Sequence, residues 1–344
     1  MLIRQRIIEV RSSTIGIVWV LLNPEVVSPR EHDTMSINRR TFVTSALAAS
    51  ALLAPGHSAH SATFPSGPPK VKIHAVQTGR VRVKRAQIAP TKHGLARLVA
   101  PLIESEWADW LPTYAWVIDH AEGVIVVDTG AAEHLLSLPS WHPYFQRAVC
   151  FDIQRDQELG PQLRKLGIGL RDLRKVVLTH LHIDHDAGLR DVVGSMIYAS
   201  RGEVDNASGL RGRLMGYLPE RWPKGFDPKA LDFVRAPFGP FPRSCLLTEA
   251  GDVIAVPTPG HTSHHLSVIV MEGETAIMLA GDASYSEAQM LAGGIDGVGV
   301  DEDAEIETLA RIAKFTRMIP TVYLPTHDPL SADRLLHRRY VTHA

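Results

Sequence analysis

Thr179-His180-Leu181-His182-Ile183-Asp184-His185 follows an apolar, strand-like stretch at residues 175–178, and its reading decides the fold. Three imidazoles and a carboxylate stand in the order His-x-His-x-Asp-His. A strand that ends in such a loop points His180 and His182 one way and Asp184 with His185 another. That arrangement suits two adjacent cations better than one. Neutral imidazole and carboxylate are the ligands a zinc-like ion takes, and an incompletely filled shell leaves room for a reactive water. A histidine-rich loop without a role is a poor account of four ligand-type side chains at this spacing.

Three residues further along turn the motif into a candidate site. His261 lies in Thr258-Pro259-Gly260-His261-Thr262 after the strand-like residues 253–256. Asp282 closes Leu279-Ala280-Gly281-Asp282 after the apolar run 276–280, and His327 closes Leu324-Pro325-Thr326-His327 after 322–324. Each stands just past the carboxyl end of an expected strand, where layered α/β folds carry binding groups on loops held by a rigid sheet. Singly, each has an ordinary explanation as a hydrogen-bonded structural histidine or an acidic turn residue. In this order, together, they read as one site.

With Asp128 in Val127-Asp128-Thr129-Gly130 placed first, these five motifs resemble, in order, those of the metallo-β-lactamase superfamily, across about residues 70–330. The resemblance implies an α/β fold, an αβ/βα sandwich with a metal site along one edge. It implies one metal held by His180, His182 and His261, a second by Asp184, His185 and His327, and Asp282 bridging both. The implied cofactors are two divalent metal ions, zinc foremost, with iron, cobalt or manganese acceptable to the same ligands. Asp128 is read as structural, fixing the loop around His180 and His182.

The segment Asp282-Ala283-Ser284-Tyr285 is similar to the N-acyl-homoserine lactonases, as are residues 258–262 and the acidic, glycine-rich stretch 293–303. In that group the tyrosine phenol stands beside the metal pair; a half-buried aromatic under a loop is the plain alternative for Tyr285. His265 also matches a lactonase position and is expected to orient the groups around the metals, while His264 is expected to face solvent. The implied reaction is quorum-signal degradation by opening of a lactone ring. A hydroxide shared by the metals attacks the carbonyl carbon, Tyr285 stabilises the oxyanion, and Asp184 carries a proton to the departing alkoxide. The nearest alternative is an exported hydrolase of aryl esters or organophosphate triesters with the same fold. β-Lactam hydrolysis ranks lower, because the zinc members that perform it usually lack the complete Asp-bridged set. A redox di-iron or metal-holding protein would call for an electron-carrier domain that neither the length nor the cysteine count supplies.

Composition agrees with a globular enzyme, and the resemblance implies a small-molecule ester or lactone as its partner. The 344 residues are 45% apolar, and 36 basic against 37 acidic residues leave a net charge of -1. That is enough for a large core and gives no electrostatic footprint for nucleic acid. Cys150 and Cys245 are too few for a disulfide framework and lie outside metal-type spacings; their pairing stays open, and a homodimer is compatible with the chain.

Residues 1–34 read as an over-long start or an extension without assigned function. Residues 35–61, opening with Met35-Ser36-Ile37-Asn38-Arg39-Arg40-Thr41-Phe42-Val43 and continuing into the small, apolar run 44–54, have the layout of a twin-arginine export signal cleaved after Ser61. A periplasmic or secreted location follows, with no permanent membrane span, since the apolar run is too short for one. Residues 62–344 would then form a single hydrolase domain.

Within that domain, strands are expected at 71–76, 114–118, 123–128, 172–179, 196–199, 253–256, 266–271 and 275–280. Helices are expected at 156–166, with Leu159, Leu163 and Leu166 at helical spacing, and at 303–318, with Ile306, Leu309, Ala310 and Ala313 on one face. The interleaving favours layers. Residues 91–116, with Trp107, Trp110, Tyr114 and Trp116, and residues 203–245, with Met215, Tyr217, Trp222, Phe226, Phe233 and Phe238, fit the pattern poorly. A cap or insertion over the site is expected around 203–245, with these aromatics as an apolar wall for an acyl chain.

Overall fold

Strand Leu111–Asp119 shows why its sheet has to be covered on both faces: Trp116 and Ile118 enter one buried apolar cluster, and Ala115 and Val117 enter another. Alternate residues of a strand face opposite sides, so a strand apolar on both faces must be covered on both. In the computed structural model the described residues are 71–343, and the 1–34 extension and the export signal at 35–61 lie outside them.

Among the described residues, β1 (Lys72–Val83), β2 (Leu111–Asp119), β3 (Val124–Val127), β4 (Val149–Asp152), β5 (Leu173–Val177), β6 (Ile197–Ala199) and β7 (Lys229–Ala230) form one sheet in the order β4-β1-β2-β3-β5-β6-β7. The second sheet holds β8 (Cys245–Leu246), β9 (Val253–Pro257), β10 (Leu266–Glu272), β11 (Thr275–Gly281) and β12 (Thr321–Pro325) in the order β12-β11-β10-β9-β8. Parallel pairing is confined to β3-β5-β6-β7 and β11-β12, the stretches whose connections run through helices.

The sheets meet through Trp116, Ile125, Val127 and Val177 on one side and Val268, Ile277, Leu279 and Val322 on the other. Helix Leu159–Lys165 covers the outer face of the first sheet with Leu159 and Leu163, and helix Glu302–Met318 covers that of the second with Leu309, Ile312 and Phe315. The architecture is therefore helix, sheet, sheet, helix, the expected αβ/βα sandwich.

Two expectations are corrected, and the cysteine pairing left open above is decided. The buried face of helix Glu302–Met318 is Glu305, Thr308, Leu309, Ile312, Phe315 and Thr316; of the expected face, Leu309 is buried and Ala313 packs on the core, but Ala310 is exposed and Ile306 is 51% exposed. The apolar pattern misled because a polar residue, Glu305, is drawn inward by accepting the Asp296 N–H at 2.5 Å. Residues 203–245 are not a separate cap alone, since β7 and β8 extend one sheet each. Cys150 and Cys245 are free thiols, one on β4 and one on β8, in different sheets. Among the described residues, no helix is long and apolar enough to cross a membrane.

Candidate metal centre and pocket

β5 ends at Val177, two residues earlier than the apolar pattern suggests, because Asp128 captures the next residue but one. The Thr179 N–H donates to Asp128 Oδ1 at 2.7 Å and the Thr179 hydroxyl to Oδ2 at 2.8 Å. Released from the sheet, the chain turns through His180 to His182 and enters the short helix Ile183–Asp186, which brings Asp184 and His185 round to the same spot. Asp128 itself sits in the left-handed region at φ 59°, a conformation costly for most side chains but tolerated by aspartate.

β9, β11 and β12 deliver the remaining three residues from the second sheet. His261 follows β9, and Asp282 follows β11 through Gly281. At φ 59°, a Cβ on Gly281 would stand 2.6 Å from His265 Nε2. His327 follows β12. All seven singled-out residues are brought together. Ligand atoms of His180, His182 and His261 form one group, those of Asp184, His185 and His327 another, and those of His180, His185 and Asp282 a third that overlaps both. Asp282 lies between the histidines, with its oxygens 3.2 Å from His185 Nε2, 3.3 Å from His327 Nε2 and 3.5 Å from His261 Nε2.

The hydrogen bonds around the cluster dictate which nitrogen faces inward. His185 Nδ1 donates to Asp128 Oδ2 at 2.9 Å, His261 Nδ1 to Asp296 Oδ2 at 2.6 Å, and His327 Nδ1 to the Pro112 carbonyl at 2.9 Å. The Thr179 hydroxyl gives its proton to Asp128, so at 3.1 Å it accepts from His180 Nδ1. Each of these four rings is left with the Nε2 lone pair aimed at the centre. His182 differs: its Nδ1 faces His261 Nε2 at 2.9 Å. His180 Nε2, His185 Nε2 and Asp282 Oδ1 are buried without a hydrogen-bond partner. Buried orphan acceptors converging on one point are what a cation would satisfy, so the donor set fits two divalent ions.

Electrostatics point the same way. Burial and the neighbouring histidines hold His180 and His182 well below the ordinary imidazole range, in the neutral form that ligates. For His185 burial acts downward too, yet Asp282 and Asp128 push it well above; for His261, Asp296 overcomes burial and lifts it to about 9. The carboxylates make this buried point favourable for positive charge.

The structure sharpens the supporting roles. Asp128 grips Thr179 and the His185 ring, a structural role as expected; it reaches His180 through Thr179. His265 Nε2 accepts the Asp282 N–H at 3.0 Å, so the proton lies on Nδ1, which faces Thr258. His264 is exposed. Two partners went unread in the sequence. Asp296 lies in the noted acidic stretch, but nothing there marks it over Asp301 or Asp303. Glu203 is fully buried and accepts from Leu181 N, Tyr217 Oη, Thr262 Oγ1 and His264 N, tying the two ligand loops to one carboxylate.

A cavity of about 200 Å³ opens on the cluster, lined at its base by His182, Asp184, His261, Asp282, Tyr285 and His327. Tyr285 is buried and stacks on His327, ring centroids 5.8 Å apart. The apolar wall of the cavity includes Val81, Val83, Leu98, Leu102, Phe145, Phe151, Leu214 and Met215. Of the aromatics expected there, none lines it. Tyr114 and Trp116 lie between the sheets, Trp107 lies under Lys84 and Trp110 under Arg80, Phe238 packs on Phe315, and Trp222 donates to Asp186. The two segments do line the cavity, through Leu98, Leu102 and Leu214 and through Met215, the one named side chain that reaches it, and residues 142–151 add a third side that the sequence did not announce.

A sandwich whose strand ends gather five histidines and two aspartates on one buried point belongs to the metal-site class of α/β proteins. A profile of the metallo-beta-lactamase superfamily matches residues 108–327, well over half of the chain, and the chain belongs to that superfamily. A probable metallo-hydrolase of Mycobacterium tuberculosis is 29% identical over 49% of this chain, which spans 56% of that relative's length. An N-acyl homoserine lactonase of a Bacillus species is 22% identical over 75% of this chain and 93% of its own. Among solved structures, an N-acyl homoserine lactone hydrolase with N-hexanoyl-L-homoserine at its catalytic metal centre aligns at a TM-score of 0.62, 18% identical, over 80% of this chain and all of its own, a likeness of fold.

Proposed function

We propose that this chain is a metal-dependent hydrolase that opens the lactone ring of N-acyl homoserine lactones and so degrades a quorum signal. The observation that carries the reading is the position of Tyr285, buried at the junction of the histidine–aspartate cluster and an apolar cavity. His180, His182 and His261 would hold one divalent cation and Asp184, His185 and His327 a second, with Asp282 shared and zinc the foremost candidate. When bound, such a pair lowers the pKa of water towards 7 and polarises an ester carbonyl.

The chain's own groups supply the rest. Burial and the nearby Asp296 raise the Tyr285 phenol well above its ordinary value, so it stays protonated and donates to the oxyanion that develops at the lactone carbonyl. Asp184, whose carboxylate reaches both His327 and the cavity, is positioned to take up the proton released by the attacking oxygen and pass it to the departing alkoxide. The apolar wall receives the acyl chain and keeps water from it. The lactonases among the relatives support this substrate class. Export to the periplasm or beyond, read from Arg39-Arg40, is part of the proposal; fractionation of cells carrying Arg39→Lys with Arg40→Lys tests it, with retention in the cytoplasm expected.

The deciding experiment is a substrate panel given to the metal-loaded protein: short- and long-chain acyl homoserine lactones, a simple γ-lactone, an aryl ester, a phosphotriester and a β-lactam. The highest kcat/KM is expected on the acyl homoserine lactones. Preference for the phosphotriester or aryl ester would sink the substrate assignment. Tyr285→Phe is expected to lower kcat by about 10²-fold with metal content intact, the order found for loss of one oxyanion donor.

A further inference from the structure

Gln87, buried on the short helix Arg85–Ile88, is the only side chain that hydrogen-bonds the Tyr285 hydroxyl among the described residues. Its Nε2 stands 2.7 Å from the Tyr285 oxygen, and its Oε1 accepts from the Tyr144 hydroxyl at 3.0 Å. We infer that Gln87 is a positioning residue: by donating to the Tyr285 oxygen it turns the phenol's one proton into the cavity, towards the place where substrate oxygen would develop charge. This rests on the reading of Tyr285 as the oxyanion donor.

Donor counting fixes the direction of the proton. A phenol has one proton and two lone pairs, and an amide N–H can only donate. At 2.7 Å from that N–H the Tyr285 oxygen is the acceptor, so its own proton points elsewhere, and the open side is the cavity it lines with Asp184, Asp282 and His327. The bonds then run head to tail, Tyr144 to Gln87 to Tyr285 to substrate, each polarising the next. With the amide reversed, Tyr285 would spend its proton on Gln87 Oε1 and have none to offer.

Gln87 is held firmly enough to do this. Its carbonyl accepts the Gly297 N–H at 2.6 Å, and a Cβ on Gly297 would fall 2.7 Å from the Gln87 Cα, so the helix is seated directly on the loop that begins with Asp296. A second glutamine fixes the other half: Gln289 accepts the Tyr285 N–H at 2.6 Å and donates to the Ile88 carbonyl at 2.8 Å. The Tyr285 backbone and the Tyr285 phenol are thus both referenced to the same four-residue helix.

The test is a mutant cycle on the full-length, metal-loaded protein, reading kcat and KM for an N-acyl homoserine lactone beside metal content and Tm. Gln87→Met keeps the length and removes the amide; Tyr144→Phe removes only the hydroxyl at the head of the chain, from a ring that is partly exposed and so tolerant of the change. We expect kcat to fall about tenfold for Gln87→Met and about twofold for Tyr144→Phe, with KM and metal content unchanged. Added to Tyr285→Phe, neither is expected to slow the enzyme further, because there is no proton left to direct. The inference is overturned if Gln87→Met and Tyr144→Phe keep full rate while Tyr285→Phe loses it, or if they slow the Tyr285→Phe protein as much as the parent, which marks a merely structural contribution. If Gln87→Met does not fold, the Tyr144→Phe arm decides alone. Full rate in Tyr285→Phe is a different failure: it removes the role of the phenol itself, and the positioning of it with it.

Discussion

The base of the cavity and its wall are made of different material. The base is assembled from strand ends of both sheets, and four of its five histidines have Nδ1 tied to an acceptor, so that Nε2 has a single direction. The wall comes largely from connections, helix Leu95–Ile103, residues 142–148 and the end of helix Gly209–Leu214, with Val81, Val83 and Phe151 added from β1 and β4; its apolar side chains have no hydrogen bonds to set their aim. Leu95, Val99 and Ile103 on the first of these helices are 79%, 49% and 77% exposed. Rigid sheet ends suit groups that must be held to a fraction of an ångström, and connections suit surfaces that need only shape. One residue joins the two regions: buried Arg97 donates to the Asp296 and Gly299 carbonyls and to Glu302, so the helix bearing Leu98 and Leu102 is anchored on the loop that orients His261.

The comparison breaks most visibly at Asp282. If the base holds two cations through one shared carboxylate, Asp282→Ala removes a ligand from both, and a rise of about 4 kcal/mol in the barrier, a loss of about 10³-fold or more in kcat/KM, is expected together with reduced metal content. Elemental analysis beside kinetics checks it; a variant that keeps its metals and its rate would show that the seven residues do not act as one site.

Smaller effects are expected one layer out, at Asp128 and Asp296. Both oxygens of each carboxylate accept: Asp128 from Thr179 N, Thr179 Oγ1 and His185 Nδ1, Asp296 from Val298 N, Gly299 N and His261 Nδ1. An amide placed there must turn an N–H against a donor, whichever way it faces. Asp128→Asn and Asp296→Asn are each expected to weaken metal affinity about 10- to 100-fold, measured by competition with a chelator. Equal losses at the two positions would mean that Asp296, which no motif marked, is worth as much as Asp128, which one did.

That pair also shows what the sequence could and could not reveal. Asp128, His261, Asp282 and His327 are legible because each follows an apolar run that ends in a turn, a pattern local in the chain. The strands are legible for the same reason, apart from their ends, which hydrogen bonds such as those of Thr179 decide. Asp296, Glu203 and Gln87 act on residues 35, 59 and 198 positions away, and no local pattern encodes such a partner. The helix face at Glu302–Met318 departs from the apolar pattern on the same account, since the Asp296 N–H turns a glutamate inward.

On the wall, the expected change is one of binding alone. Leu102→Ala removes apolar contact from the cavity and leaves the base untouched. KM for long-chain acyl homoserine lactones is expected to rise by up to about tenfold, the worth of one to two buried methylenes, with kcat and metal content unchanged and short-chain substrates little affected. A fall in kcat instead would mean that the anchor at Arg97 transmits changes in the wall to His261, and the division between base and wall would have to be given up.

The smallest effect is expected at Trp107, where the residue type invites the opposite guess. A tryptophan in a segment flanking the cavity looks like a wall residue, yet its ring lies under the Lys84 ammonium at 3.9 Å and beside the Arg82 guanidinium at 5.7 Å, away from the cavity. What Trp107→Leu removes is a cation–π contact at the end of β1, worth about 0.5–1 kcal/mol at a partly exposed position. A small drop in Tm is expected, with the order of preference among acyl chain lengths unchanged. If the chain-length profile shifts instead, the acyl chain must extend past Leu98 and Leu102 to reach the outer surface of β1, and the wall would be larger than the lining of the cavity indicates.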